Sequence, residues 1–385
     1  MKIVHAYNVH RSGGGATAVT ESTIRVLQEN GQDVKVVMRR SIDLPKSLLG
    51  HWEAGISAFR GGEAMNEFVS LLDSFQPDVV HGHELFPLIS PWILPECTRR
   101  GIPVVLSCND YHLTCPVRNH VHNGQICTRC LNGHEYWSVL QNCRGNLAES
   151  ISMALYCAMV RKRGLYRDNV SHYMVLSEFT RQWLIDKASI DPTRVTCNPP
   201  IIDLPDTTAD PAEGEYVAFA GRFVPEKGID TLLEAARISG VPLCLSRNEE
   251  HFVTVQLPPN VRVVVTRTKS ELTDFYRRAR MLVLPSTWFE TFGVVGAEAM
   301  ALGIPVVASR IGAVANLLED GVDGLYFEPG NAQELARKIT ALWNDPEQCR
   351  RLGRAGRQRV ERLWSPQRHF ELAMSVYNEV LRAKP

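Results

Sequence analysis

The chain has no excess of either charge: 42 Lys and Arg balance 42 Asp and Glu over 385 residues. A balanced surface gives no electrostatic reason to expect a nucleic-acid partner. No apolar run approaches the ~18 residues that a membrane span needs. The opening residues, MKIVHAYNVH, enter a strand-like run without the basic stretch and long apolar core of a signal peptide. These absences predict a cytoplasmic protein, in which thiols stay reduced, so its 10 cysteines are poorly explained by disulfides. What is present is ordinary for a globular chain: 44% of residues are hydrophobic. The length exceeds one core and predicts two domains.

Short apolar runs alternate with helical patterns through the first half. Strands are expected at Lys2 to Ala6, Val34 to Met38, Asp78 to His81, Val104 to Ser107 and Tyr173 to Leu176. Helices are expected at Thr17 to Asn30, Met65 to Phe75, Trp92 to Arg99, Glu149 to Gly164 and Glu178 to Asp186. Such alternation predicts a parallel sheet with helices on both faces. Gly13, Gly14 and Gly15 fall between the first strand and the first helix, where such a sheet cradles phosphates. A complete G-x-G-x-x-G is missing, so a flexible turn is an equal reading.

The pattern breaks at 108–143. Cys115, Cys127, Cys130 and Cys143 stand there with one C-x-x-C pair, interleaved with His112, His120, His122 and His134. Four thiolates suffice for a tetrahedral structural zinc that staples a long loop, and they leave no open position for chemistry. Unliganded thiols, and redox or disulfide chemistry, are the alternatives.

Asn198-Pro199-Pro200 opens a stretch to Gly214 that is rich in Pro, Asp and Thr, which predicts an interdomain linker. The strand and helix pattern then restarts at Tyr216 to Ala220, followed by a turn carrying Arg222 and Lys227 and a helix from Ile229 to Ile238. An Arg fork and a Lys point charge at a strand-to-helix turn suit a diphosphate. Further on, PSTWFETFGVVGAEAMALGIPVV at 285–307 predicts a buried strand ending before Pro285, a loop, a helix and another strand from Val306 to Ser309. Glu290 falls in the loop and Glu298 in the helix, and both are expected to reach one cleft. The helix start, with Gly293 and Gly296, directs free N–H groups and a positive dipole end there. The segment from Pro346 to Pro385 is expected to be helical. Residues 350–385 hold nine Lys or Arg against three acids, which reads as a solvated face or as contact with an anionic membrane.

Together G-R-x4-K-G at 221–228, P-S-x3-E-T-F-G-x4-E-A-x2-L-G-x-P-V-V at 285–307 and D-G-x2-G-L at 320–325 resemble the donor half of glycosyltransferase family 4, retaining enzymes of the GT-B fold. The resemblance implies two Rossmann-like parallel-sheet domains facing across a cleft: an acceptor domain at 1–198 with a Cys-rich insertion at 108–143, a donor domain at 199–365, and a last helix at 366–385 crossing back onto the first domain. It implies transfer of a hexose, with retained configuration, from a nucleotide diphosphate sugar to a glycan or lipid-linked acceptor, at or near the inner face of the membrane. Arg222 and Lys227 would neutralise the diphosphate and Glu298 would bond the ribose. Glu290 and the backbone of Thr291, Phe292 and Gly293 would hold the sugar, and Gly14 and Gly15 would approach the phosphates from the other domain. No divalent metal is implied for transfer.

The chain also departs from that pattern. Asn109-Asp110 stands where many relatives have His-Asp, with His112 two residues on, so Asp110 and His112 are either acceptor-side catalytic residues or ordinary loop residues. Ser246-Arg-Asn248 replaces a Gly-x-Gly, and Gly312-Ala-Val-Ala-Asn316 replaces a Gly-x-x-Glu. A phosphorylase, a nucleotide-sugar hydrolase or epimerase, and a non-enzymatic metal-stapled interaction protein are the other classes that the residues allow.

Overall fold

The computed structural model describes residues 1–9, 15–43, 62–247 and 257–383. The chain divides into two compact units: Met1–His120, Thr128–Ile201 and His369–Pro385 form the first, Val121–Cys127 and Ile202–Arg368 the second. Each is built on a parallel six-stranded sheet, which makes both units Rossmann-like and the fold α/β of the GT-B class. Among the described residues no helix is long and apolar enough to cross a membrane.

In the first unit β1 (Lys2–Val9), α1 (Gly15–Glu29), β2 (Asp33–Arg40), α2 (Gly62–Phe75), β3 (Val79–Gly82), α3 (Ile93–Arg99) and β4 (Val104–Cys108) follow one another. After the Cys-rich segment the sheet is completed by β7 (His172–Val175) and β8 (Val195–Cys197), in the order β2-β1-β3-β4-β7-β8. That segment is not wholly irregular. It holds a hairpin of β5 (Val121–His122) and β6 (Gln125–Ile126), then the helices α4 (Trp137–Leu140) and α5 (Leu147–Lys162). Asn123 and Gly124 turn the hairpin with φ of 51° and 72°, the two positive values that a two-residue I′ turn requires.

Successive residues of each strand go to opposite faces. Val4, Val80, Val104 and Tyr173 pack under α2 and α3. Their neighbours Ile3, Val79, Val105 and Met174 pack with Ala373, Val376, Tyr377 and Val380 of the C-terminal helix. Strands apolar on both faces are those of a sheet covered on both sides. The expected single C-terminal helical segment is two helices, Pro346–Leu363 and Pro366–Arg382. Pro366 disfavours helical backbone at Ser365 and begins the second.

In the second unit the order is β11-β10-β9-β12-β13-β14, all parallel. After α6 (Glu178–Ala188), which joins β7 to β8 in the first unit, the elements of the second are β9 (Tyr216–Ala220), α7 (Ile229–Ser239), β10 (Leu243–Arg247), β11 (Val261–Val265), α8 (Lys269–Arg277), β12 (Ala279–Leu284), α9 (Val294–Ala301), β13 (Val306–Ser309) and β14 (Gly324–Phe327). The Pro- and Asp-rich segment before β9 packs along this unit. Ile202 N–H donates to Trp364 O at 3.0 Å, Ala209 N–H to Leu302 O at 2.8 Å, and Asp210 pairs with Arg350 at 2.7 Å. In such an order the strand direction of winding reverses between β9 and β12, and ligands bind outside the carboxyl ends of strands at that switch point.

Candidate active site

The loops after β9 and β12 flank the switch point of the second unit, and they hold Arg222, Lys227 and Glu290. Backbone contacts lock them together: Thr287 N–H donates to Glu226 O at 2.9 Å. Gly228 has φ +71°, and a Cβ there would lie 1.8 Å from Pro285 O. Only glycine fits. Gly228→Ala is therefore expected to separate the loops at a cost of at least ~2 kcal/mol, read as a lowered melting temperature.

This closure brings the Lys227 ammonium onto the Glu290 carboxylate as an ion pair. Ser286 Oγ also donates to Glu290 Oε1 at 2.8 Å, and Lys227 Nζ sits 5.3 Å from the centre of the Trp288 ring. Burial pushes the Glu290 carboxyl up, but Lys227, Ser286 and Trp288 outweigh it and hold the group below the usual carboxylate range. The site thus carries an ionised Glu290 and a neutralised Lys227. Arg222 is exposed, and among the described residues it makes no hydrogen bond or ion pair. It is an uncommitted cation beside a committed pair.

Helix α9 begins at the same place. Gly293 takes the N-cap with φ 101°, and no side chain caps the helix, so the first N–H groups keep their capacity for an anion. Phe292 is buried edge-to-face on Trp364, with centroids 5.1 Å apart. Its side chain belongs to the core, which leaves only the backbone of Thr291 to Gly293 for a ligand. Glu298 stands one turn into α9 in a different setting: Tyr276 OH donates to Oε2 at 3.4 Å, and burial raises its pKa against the opposing effects of Lys269 and Tyr276. Ser246 closes β10 with its hydroxyl 2.6 Å from that of Thr266, and Asn248 lies outside the described residues.

In the first unit the residues after β4 form a second constellation. Asp110 Oδ1 accepts from the His112 backbone N–H at 2.9 Å and from its Nδ1 at 2.6 Å. Arg118 pairs with Glu84 at 2.5 Å and lies 3.7 Å from Asp110. Burial raises the Asp110 carboxyl, yet His112 and Arg118 hold it well below its ordinary value. His112 Nε2 is buried without a hydrogen-bond partner. A small recess beside it is lined by Asn8, Thr20, His83, Glu84, Asp110 and His112. Gly13 and Gly14 lie outside the described residues, and Gly15 opens α1 with nothing within 4 Å of an added Cβ.

Cys115 is buried, and Cys127, Cys130 and Cys143 are partly exposed. Among the described residues, the one group of three or more ligand side chains that does converge is His5, His81 and His83, with donor nitrogens within 4.8 Å of one another. They form a buried network: His5 Nδ1 to His83 Nε2 at 2.9 Å, His81 Nδ1 to Tyr377 OH at 2.7 Å and His81 Nε2 to Ser107 Oγ at 2.8 Å. Burial lowers the pKa of all three, His5 to about 3. The signal in the sequence was a histidine inside each of two apolar runs, KIVHA and VVHGH. The basic C-terminal face is used internally: Arg350 pairs with Asp210, Arg357 with Glu361 at 2.6 Å and Arg359 with Asp323 at 3.2 Å.

Comparison with known proteins agrees with this arrangement. Residues 203–359 match the profile of glycosyl transferases group 1. The chain is 33% identical over 154 residues to an uncharacterized glycosyltransferase, MJ1178, of Methanocaldococcus jannaschii, covering 38% of this chain and 44% of that one. It is 31% identical over 179 residues to the capsular polysaccharide biosynthesis glycosyltransferase CapM of Staphylococcus aureus, covering 43% of this chain and 46% of that one. These matches span less than half the length of either relative. Among solved structures, sucrose-phosphate synthase of Thermosynechococcus elongatus superposes with a TM-score of 0.71 at 18% identity, over 100% of both chains, a likeness of fold. Residues 13–205, half of the chain, match the profile of glycosyltransferase family 4, and the chain belongs to that family.

Proposed function

We propose that the chain is a retaining glycosyltransferase that moves a hexose from a nucleotide diphosphate sugar to a glycan or lipid-linked acceptor in the cytoplasm, in the synthesis of a polysaccharide or glycoconjugate. The observation that carries this reading is Arg222, a cation with no partner among the described residues, beside the Lys227–Glu290 pair and the uncapped start of α9. Two cations and a helix N-terminus stabilise the charge that grows on a departing diphosphate, the term that dominates such catalysis. They also remove the need for a divalent metal in transfer, and Cys115, Cys127, Cys130 and Cys143 are read as a structural zinc site apart from the chemistry.

Glu290, ionised and held by Lys227, is placed at the transferred sugar. Glu298, whose raised pKa comes from burial, is placed at the ribose hydroxyls. No carboxylate stands out as the nucleophile of a double displacement, so the reaction is assigned a front-face course in which the leaving diphosphate takes the acceptor proton. Asp110 and His112 serve the acceptor side.

The division of labour is testable by kinetics. Glu298→Ala is expected to weaken nucleotide binding at least tenfold, about 1.4 kcal/mol, with little change in kcat. Glu290→Gln is expected to lower kcat by about 10²-fold or more with nucleotide affinity nearly intact. Equal effects of both on the bare nucleotide would refute the division. Products formed from donor with and without acceptor separate transfer from hydrolysis, epimerisation and phosphorolysis.

A further inference from the structure

The first unit encloses a cavity of about 330 Å³ that the donor chemistry does not use, within the ~300–1,000 Å³ span of small-molecule sites. One side is apolar, from Met153, Tyr156 and Val160 of α5 with Leu113, Tyr173 and Ile190, while Arg118, Glu135, Arg161, Arg167 and Lys187 also line the space. In a parallel sheet the residues after a strand lie at its carboxyl edge, and the end of the following helix lies at the amino edge. His112 follows β4 and Ile190 follows α6, so one cavity lined by both runs the height of the sheet.

His112 lines this cavity and also the small recess beside it. Its side chain is 10% exposed, its Nδ1 is committed to Asp110, and its buried Nε2 has no partner. A buried ring nitrogen left unsatisfied calls for a ligand that brings a hydrogen-bonding group. The outer face of α5 supplies a second, independent observation. Leu147, Ile151 and Leu155 follow one another at a spacing of four and are 56%, 42% and 59% exposed, a single stripe on the helix whose opposite face walls the cavity. Leu140 on α4 is 69% exposed.

We propose that this cavity holds the apolar body of an amphiphilic acceptor, with its hydroxyl head at His112 Nε2 and its hydrocarbon chain along Met153, Tyr156 and Val160. This rests on the reading of the chain as a glycosyltransferase. The head hydroxyl hydrogen-bonds to Nε2, and Asp110 accepts from Nδ1. In transfer the hydroxyl oxygen forms the bond to the anomeric carbon, the bond from that carbon to the diphosphate breaks, and the hydroxyl proton leaves on the diphosphate. The apolar stripe beside the cavity favours a lipid source over a soluble aglycone.

The test uses the full chain and a series of n-alkyl β-D-glucosides, from hexyl to dodecyl, below micelle-forming concentrations. Affinity is expected to rise about fourfold per methylene and then level off as the chain fills the cavity. Val160→Trp and Met153→Trp are expected to abolish that dependence while keeping stabilisation by nucleotide sugars. Equal binding of the series by both filled variants and the wild type overturns the proposal. Native mass spectrometry of the wild type covers the case in which neither variant folds: one bound chain per polypeptide supports the site, and none overturns it. Alkyl binding without any nucleotide-sugar binding instead defeats the glycosyltransferase reading and leaves the cavity standing. Flotation with phosphatidylglycerol vesicles, lost on Leu147→Ser with Leu155→Ser, assigns a membrane-held acceptor; alkyl binding without flotation assigns a soluble one.

Discussion

Lys227→Ala is expected to lower kcat/KM for sugar transfer by about 10²–10³-fold and to cost about 3 kcal/mol of stability. The two losses have different causes, and a double variant separates them. Lys227 and Glu290 are 20% and 13% exposed, so removal of the ammonium leaves a nearly buried carboxylate whose remaining partners are neutral. Glu290→Gln added to Lys227→Ala removes that charge and is expected to restore most of the stability. Activity should not return, because the cation facing the diphosphate is still absent. The stability defect of the single variant should also shrink on acidification. Without Lys227, burial dominates and raises the Glu290 pKa, so the carboxyl takes a proton and ceases to be an unpaired charge. In the wild type the sign is opposite: the depressed Glu290 pKa contributes stability above the unfolded value near 4.5 that is lost as pH falls. A urea titration of the two single variants and the double variant at pH 7 and pH 5 checks all of this.

A second large effect is expected from the histidines beneath the C-terminal helix. His5, His81 and His83 are held neutral by burial, and burial likewise lowers His369 against the raising effect of its bond to Pro199 O. A lowered folded pKa means that the unfolded chain binds protons first, so stability is full above 6.5 and falls as pH drops below it. The three clustered histidines lower the unfolding free energy by about 3 kcal/mol between pH 6.5 and 5.5, and His369 and His172, also lowered by burial, act in the same direction. Asp110 and Glu290 titrate too low to contribute in that window. Glu298, with its raised pKa, works in the opposite direction but is a single group. Urea midpoints across that range should fall steeply, and His83→Asn should flatten the slope. A flat profile in the wild type would show that the cluster is already solvated.

Most strands legible in the sequence are buried on both faces, although the edge strand β2 was read as well, from Val34 to Met38. Ile3 with Val4, Val79 with Val80 and Val104 with Val105 send neighbouring apolar side chains to opposite cores, so each strand reads as an unbroken apolar run. Edge strands carry a weaker signal: β8, only Val195–Cys197, went unread, because one side of an edge strand has no neighbour to cover it. The motifs at 221–228 and 285–307 located the switch-point loops, but their internal pairing was not visible. Lys227 and Glu290 are 63 residues apart in sequence, and only the contact of Gly228 with Pro285 O shows that they meet. Taken from the sequence alone, Lys227 was a phosphate ligand and Glu290 a sugar ligand; each is also the other's counter-ion. A C-x-x-C pair with two outlying thiols fixes ligand type but not approach. The histidine cluster was missed because a lone buried His in a strand has no periodicity of its own.

The most direct measurement is thermal unfolding of the wild type and of Arg222→Ala with UDP-, GDP-, ADP- and dTDP-sugars. One donor should stabilise the wild type by about 2.7 kcal/mol at a hundredfold excess over Kd, and Arg222→Ala should lose most of that shift while melting as the wild type does without ligand. Stabilisation by none of the donors, or full affinity in Arg222→Ala, would contradict the assignment of the second unit as a donor site.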